Sequence, residues 1–266
     1  MDLEFHNIAV DSPLLEVTLL NKNFGGMRTI VDLSFQLKKD ECLGIIGPNG
    51  AGKTTFFNLL SGIIAPSSGS ITWLGQKIHT KTAAQITRLG IARTFQNIRL
   101  FKQLSVLENV RIACDRHLNY TPLDAFLRTS TARAQEKKSH KIAMELLNLF
   151  KMTSLAHSIA GDLSYGDQRR LEIARALALR PRLLLLDEPV AGMNDSEMHE
   201  LMELLRWVQR EFSLSMLLIE HHMPFMMELC DRLLVLDFGL LIAEGTPGEI
   251  RQNRRVIEAY LGEEEK

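Results

Sequence analysis

One stretch constrains this chain more than any other: Gly47-Pro48-Asn49-Gly50-Ala51-Gly52-Lys53-Thr54-Thr55, set between Leu43-Gly44-Ile45-Ile46 and Phe56-Phe57-Asn58-Leu59-Leu60. It reads as strand, glycine loop, helix. The run fits G-x-x-x-x-G-K-[ST], in which glycines let successive N–H groups curl around phosphate oxygens at the positive end of a new helix. In that arrangement Lys53 reaches the β- and γ-phosphates and the Thr54 hydroxyl is placed to ligate Mg²⁺. A nucleoside triphosphate is the ligand such a loop is built for.

The rest of the chain reads as the scaffold this loop needs. Leu183 to Leu186, Met216 to Ile219 and Leu233 to Leu236 are short runs, apolar throughout, as strands buried on both faces of a parallel sheet are. Ser196 to Arg210 puts Met198, Leu201, Leu205 and Val208 on one helical face and supplies a βαβ crossover. Ligands of such sheets sit at the carboxyl ends of the strands, where Gly47, Asp187 and His221 all fall. On the N-terminal side, Leu14 to Leu20, Val31 to Leu37 and Ser70 to Leu74 predict a small antiparallel lobe, with Phe24 in a loop between two of its strands. Val106 to Ala113, Lys141 to Phe150 and Arg169 to Arg180 predict a helical insertion, and the polar Asp115 to Lys138 reads as a solvated helical hairpin or loop.

At 266 residues one domain with lobes is the better prior. The expected layout is a leader over 1–13, a domain over 14–262 with its helical part at about 98–180, and an acidic tail over 263–266. A formal net charge of −1 gives no global basic field, so no nucleic-acid partner is expected. Cys42, Cys114 and Cys230 lack metal-ligand spacing and read as reduced thiols of a cytosolic chain. The acidic N-terminus has no signal-peptide pattern, and no apolar run has the length of a bilayer span. If the protein works at a membrane, another chain does the spanning.

Phosphoryl transfer asks a protein for positioning and charge rather than a covalent nucleophile. Asp187 is the expected Mg²⁺ partner of the glycine loop, and Glu188 is placed to polarise an attacking water. His221, also at a strand end, has the chemistry to donate to a γ-phosphate; alone such a residue is more often an ordinary partly buried histidine. Leu163-Ser164-Tyr165-Gly166-Asp167 opens a second helix, with Ser164 a natural N-cap over a possible anion site. Its place in the helical insertion points to a second subunit, arranged head to tail, as the owner of that anion.

Taken together, these motifs resemble those of an ATP-binding cassette ATPase, the cytosolic motor subunit of ABC transporters, over essentially the whole chain. The resemblance rests on the glycine loop, Gln96 within Thr94-Phe95-Gln96-Asn97, the Leu-Ser-x-Gly turn at 163–166, Asp187-Glu188-Pro189 and His221. It implies an α/β P-loop NTPase (RecA-like) fold: a mostly parallel sheet core, an antiparallel β lobe and a helical subdomain. Within the family, Ala191-Gly192-Met193-Asn194, Arg99-Leu100-Phe101, Leu218-Ile219-Glu220-His221 and Gly245-Thr246-Pro247 are similar to ATPase subunits of branched-chain amino acid importers, a match shared with urea and short-amide importers.

The resemblance implies that Phe24 stacks on adenine, that Gly47 to Thr55 hold the phosphates of ATP, and that Thr54, Gln96 and Asp187 hold Mg²⁺. Glu188 is then the catalytic base, His221 the γ-phosphate switch, and Ser164 with Gly166 grip the nucleotide of the opposite subunit. It further implies permease subunits as partners, a second identical or paralogous cassette, indirectly a solute-binding protein, and a peripheral place on the cytoplasmic face of the inner membrane. The resemblance implies that residues 97–104 receive a permease helix, with Leu100 and Phe101 as apolar anchors; the alternative is that these two simply pack the insertion onto the core. A soluble cassette acting on nucleic acid or ribosomes is the alternative class; such relatives usually carry two cassettes or a long coiled coil. Three positions depart from the commonest pattern: Tyr165, Asp167 and His222. Asp167 adds negative charge beside a polyphosphate unless Arg169 or Arg170 offsets it, and His222 stands as a rival to His221.

Overall fold

A computed structural model describes residues 13–115, 124, 126–127 and 129–264. The leader assigned to 1–13 falls outside these residues except for Pro13. In chain order the elements are β1 (Leu15–Phe24), β2 (Met27–Leu37), β3 (Cys42–Ile46), α1 (Lys53–Leu60), β4 (Ser68–Trp73), β5 (Gln76–Lys77), α2 (Ala83–Arg88) and β6 (Ile91–Arg93). Then come α3 (Val106–Asp115), α4 (Ser130–Leu149), α5 (Tyr165–Ala178), β7 (Leu183–Asp187), α6 (Asp195–Phe212) and β8 (Ser215–Ile219). The chain closes with α7 (Met223–Leu229), β9 (Arg232–Asp237), β10 (Leu240–Gly245), α8 (Pro247–Gln252) and α9 (Arg254–Glu264). Two compact units result. The first takes the chain up to Arg93, Arg182–Val190 and everything from Leu205 on; the second takes Thr94–Pro181 and Ala191–Leu204.

The first unit holds both sheets. One is antiparallel, in the order β2-β1-β4-β5; the other runs β10-β9-β3-β8-β7-β6, parallel except for the β9–β10 hairpin. β3, β7 and β8 are buried along their whole length, which is why they read as unbroken apolar runs rather than alternations. Leu43, Ile45, Leu217, Ile219, Leu234 and Leu236 join one cluster with Phe56 and Phe57 of α1 and Phe35 of β2. Phe35 and Phe56 meet edge to face at 5.5 Å. The phosphate-loop helix is thus seated on the sheet by its own aromatic residues.

On the opposite face of β3, Gly44 leaves no room for a side chain. A Cβ there would lie 2.4 Å from Met226 Cε, 2.5 Å from Leu233 Cδ2 and 2.8 Å from Cys230 Sγ. Gly44→Ala is expected to destabilise the protein by about 1–3 kcal/mol, the usual cost of overpacking a filled core, read as a lower midpoint of thermal unfolding. An unchanged midpoint would mean that α7 backs away from β3 freely.

The second unit is helical, built on α3, α4 and α5. From Ser130 on, the stretch read as a solvated helical hairpin or loop is helix. Lys137-Lys138 lie on α4, a single helix of 20 residues capped by Thr129, whose side chain accepts from the Ala132 N–H. Residues 116–123 lie outside the described residues. Phe24 is not a loop residue but the last residue of β1, paired with Met27 across Gly25-Gly26, because Gly25 at φ 56° closes a hairpin only two residues long.

Candidate active site

The parallel register sets the carboxyl ends of β3, β7 and β8 side by side, so Gly47, Glu188 and Glu220-His221 leave the sheet at one edge. The glycine loop follows β3 and delivers Lys53 as the first residue of α1. Gly52 is the N-cap at φ 99°, with no side-chain cap, and no acidic residue occupies the first turn. A Cβ on Gly52 would meet Thr29 O at 2.6 Å, and one on Gly47 would meet Leu236 O at 2.0 Å. Both glycines are therefore required by close backbone approach. An uncapped helix N-terminus with a lysine beside it and no competing carboxylate suits an anion.

Lys53 is 6% exposed, and its ammonium donates to Gly47 O at 2.5 Å and Pro48 O at 2.8 Å. The charge is thus held within the loop. The turn of the β9–β10 hairpin braces the loop from another side: Gly239 N–H donates to Ala51 O at 3.1 Å, and Gly239 O accepts from Val31 N–H at 2.9 Å. Pro48, Asn49 and Gly50 complete the curve; Thr54 is exposed and Thr55 half-buried on the first turn of α1.

Asp187 ends β7 buried, and its Oδ2 accepts from Arg93 at 2.8 Å. Arg93 also donates to Asn58 Oδ1 and Ser61 Oγ, each at 2.8 Å, and so ties the acid to the far side of α1. The next residue, Glu188, has φ 50°, a strained value for a non-glycine residue, held by its N–H bond to Ile219 O at 2.9 Å. That turn brings Glu188 Oε1 to 3.3 Å from His221 Nε2. A carboxylate and an imidazole at hydrogen-bond reach beside a phosphate loop can activate water and track the charge that develops. The oxygen donors Thr54 and Asp187 fit a hard cation. Among the described residues there is no cluster of three or more His, Cys, Asp or Glu able to hold a metal.

Glu220 is a site residue that sequence reasoning missed. It is 4% exposed, and one oxygen accepts from Val190 N–H at 3.0 Å while the other accepts from His221 N–H at 2.7 Å and His222 N–H at 3.2 Å. One carboxylate therefore splints the turn after Glu188 to the turn that carries His221. The available signal was an acidic residue ending an otherwise apolar strand. His222 caps α7, its Nδ1 accepting from Phe225 N–H at 3.3 Å. Phe24 is 46% exposed, with Lys22 Nζ 4.9 Å over its ring.

Gln96, Ser164 and Gly166 belong to the second unit. Ser164 caps α5, accepting from Asp167 N–H at 3.2 Å and donating to Asp167 Oδ2 at 2.7 Å. Both neighbouring arginines have partners other than Asp167. Arg170 pairs with Glu200 at 3.0 Å, and Arg169 is buried against Glu172 and the carbonyls of Phe95 and Gln96. The ring of Tyr165 is accommodated because residue 192 is glycine: a Cβ there would lie 3.0 Å from Tyr165 Cε1.

The family model described as ABC transporter matches residues 30–191, and one described as branched-chain amino acid ATP-binding cassette transporter matches 241–266. The chain is 42% identical over 251 residues to the high-affinity branched-chain amino acid transport ATP-binding protein BraF of Pseudomonas aeruginosa, covering 94% of this chain and 98% of BraF. It is 40% identical over 254 residues to LivG of Escherichia coli, which has the same description, covering 96% of this chain and 100% of LivG. Among solved structures, the ADP conformation of MJ1267, an ATP-binding cassette of an ABC transporter, superposes with a TM-score of 0.81 at 28% identity, covering 94% of this chain and 99% of that one.

Proposed function

The chain belongs to the ABC transporter family of ATP-binding cassettes, and from that premise we propose that it is the ATP-hydrolysing subunit of an importer for branched-chain amino acids. The observation that carries this reading is the near-full-length similarity to BraF and LivG. That similarity favours uptake over a soluble cassette acting on nucleic acid. Among the described residues no helix is long and apolar enough to cross a membrane; in this reading the solute path belongs to permease partners.

In this reading the loop at 47–55 and the N-terminus of α1 bind the ATP phosphates, and Lys53 leaves the loop carbonyls for the β- and γ-phosphates. Phe24 supplies a half-exposed aromatic face for adenine. Thr54, Asp187 and Gln96 are the assigned Mg²⁺ ligands; the ion, when bound, neutralises phosphate charge during transfer. Glu188 takes the proton from the attacking water, and His221 donates to the γ-phosphate. Ser164 and Gly166 serve the nucleotide of a second cassette, identical or paralogous, so closure and reopening of the pair drive the permease. The chain then works peripherally, on the cytoplasmic face of the inner membrane.

Phe101 is the assigned permease anchor. It is 50% exposed; its N–H donates to Asn109 Oδ1 at 2.9 Å and its carbonyl accepts from Asn109 Nδ2 at 3.1 Å, so the backbone is fixed while the residue stays exposed. The test is purification from membranes with the bound permease, followed by reconstitution with candidate solutes. Leucine, isoleucine or valine uptake that requires ATP is the expected result; uptake confined to urea or amides overturns the solute assignment. In the same assay Phe101→Glu is expected to keep its fold and ATP binding while losing both the permease and uptake. A variant that still co-purifies and transports moves the docking surface elsewhere.

A further inference from the structure

Between β6 and α3 the chain runs from Thr94 to Ser105 without helix or strand, so its backbone polar groups need partners outside such ladders. Several are taken up by two side chains of α5. Glu172 Oε1 accepts from Phe95 N–H at 3.3 Å and from Arg99 N–H at 3.2 Å, so a single oxygen holds the residues on either side of Gln96. Arg169 Nη1 donates to Phe95 O at 2.5 Å and to Glu172 Oε2 at 3.1 Å. Its other nitrogen, Nη2, donates to the Gln96 carbonyl and, at 3.1 Å, to the Tyr165 hydroxyl.

Arg169 and Glu172 are only 1% and 2% exposed in their side chains. Burying an ion pair this deeply is seldom the most stable choice, since apolar side chains of similar size often serve as well or better. Burial pushes the Glu172 carboxyl above the usual carboxylate range, against the pull of Arg99 and Phe95 N–H and of Arg169. Capping α5 requires neither residue, because Ser164 already does it. The Arg175 guanidinium lies 5.8 Å over the Phe101 ring and interacts with the Glu172 charge.

We propose that Arg169 and Glu172 are positioning residues that fasten the Phe95–Arg99 segment to the helix beginning at Ser164, so that Gln96 and the Ser164–Gly166 turn move as one piece. The roles of Gln96 and Ser164 rest on the function proposed above; the fastening itself rests on the hydrogen bonds. A permease that displaces Phe101 then shifts the contact with the opposite nucleotide through Arg175 and Glu172, without rearranging the glycine loop.

The experiment compares wild type with Glu172→Gln, Arg169→Lys and the apolar double variant Arg169→Met/Glu172→Met, which keeps α5 packed if a single change fails to fold. Amide exchange of Phe95 and Arg99 is expected to quicken by about ten-fold or more in the double variant, the scale set by losing hydrogen bonds to charged groups. Glu172→Gln, which retains an acceptor, should fall between it and wild type. ATP hydrolysis should show kcat reduced by roughly ten-fold with the KM for ATP within about two-fold of wild type, since the loop that binds the phosphates is untouched. A folded double variant with unchanged exchange at Phe95 and Arg99 overturns the proposal. Faster exchange with kcat and KM both unmoved reduces the pair to a packing role and overturns it as well. A wild-type protein without ATPase activity overturns the functional reading instead, and the exchange measurement still decides the fastening.

Discussion

Replacing Glu188 by glutamine is expected to lower steady-state ATP hydrolysis by about 10²–10⁴-fold, the usual worth of a positioned general base, while ATP stays bound. The amide preserves the size of the side chain and its ability to meet His221 Nε2, which lies 3.3 Å from Glu188 Oε1. What it removes is the capacity to take a proton from water. Because Ser164 and Gly166 are assigned to a partner's nucleotide, the blocked protein should also accumulate as an ATP-dependent dimer, visible by sedimentation in ATP-Mg²⁺ and absent in ADP. Glu188 loses its assigned role if the variant turns over at near wild-type speed.

Lys53→Ala is expected to act at the earlier step. It removes the cation assigned to the β- and γ-phosphates, a charge-assisted contact worth about 1.5–3 kcal/mol or roughly 10- to 150-fold in affinity, and nucleotide titration should register that loss directly. A second effect follows from the nucleotide-free geometry. The ammonium is bonded to Gly47 O and Pro48 O inside the loop, so the alanine variant should also melt lower without nucleotide. Lys53→Arg separates the two effects, since it keeps the charge but presents a planar fork where the loop fits a compact ammonium. Unaltered ATP affinity in the alanine variant would remove Lys53 from the phosphate site.

The parts of this site that sit on one continuous motif were legible before any fold was known. Gly47 to Thr55 carry their own instructions, and Asp187-Glu188 and His221 stand out because each ends a run too apolar to face solvent. Glu220 was not legible, because its partners Val190 and His221 become neighbours only when β7 and β8 pair in parallel. The partners of Arg169 were not legible for the same reason: two residues from Asp167 in sequence, it turns inward on a helix whose period carries it toward Phe95 and Gln96. β6, three residues long, and β5, two residues long, gave too little pattern to register. The start of α4 was hidden because Ser130 to Lys138 are nearly all polar or small, so no stripe announced a helix that Thr129 begins by capping.

The contact of Gly239 with Ala51 and Val31 bears on whether the glycine loop is a transferable part. Its consensus spans a handful of residues and looks self-sufficient, but part of its shape is supplied by a hairpin nearly two hundred residues downstream. At Gly239 itself a side chain is excluded, since a Cβ would lie 2.4 Å from Thr29 O. Moved onto another strand and helix without that brace, the same nine letters would have to order themselves at the expense of phosphate affinity. Circular permutants cut at the β9–β10 turn should accordingly bind nucleotide less well than permutants cut at the β4–β5 turn, even though neither cut touches the motif.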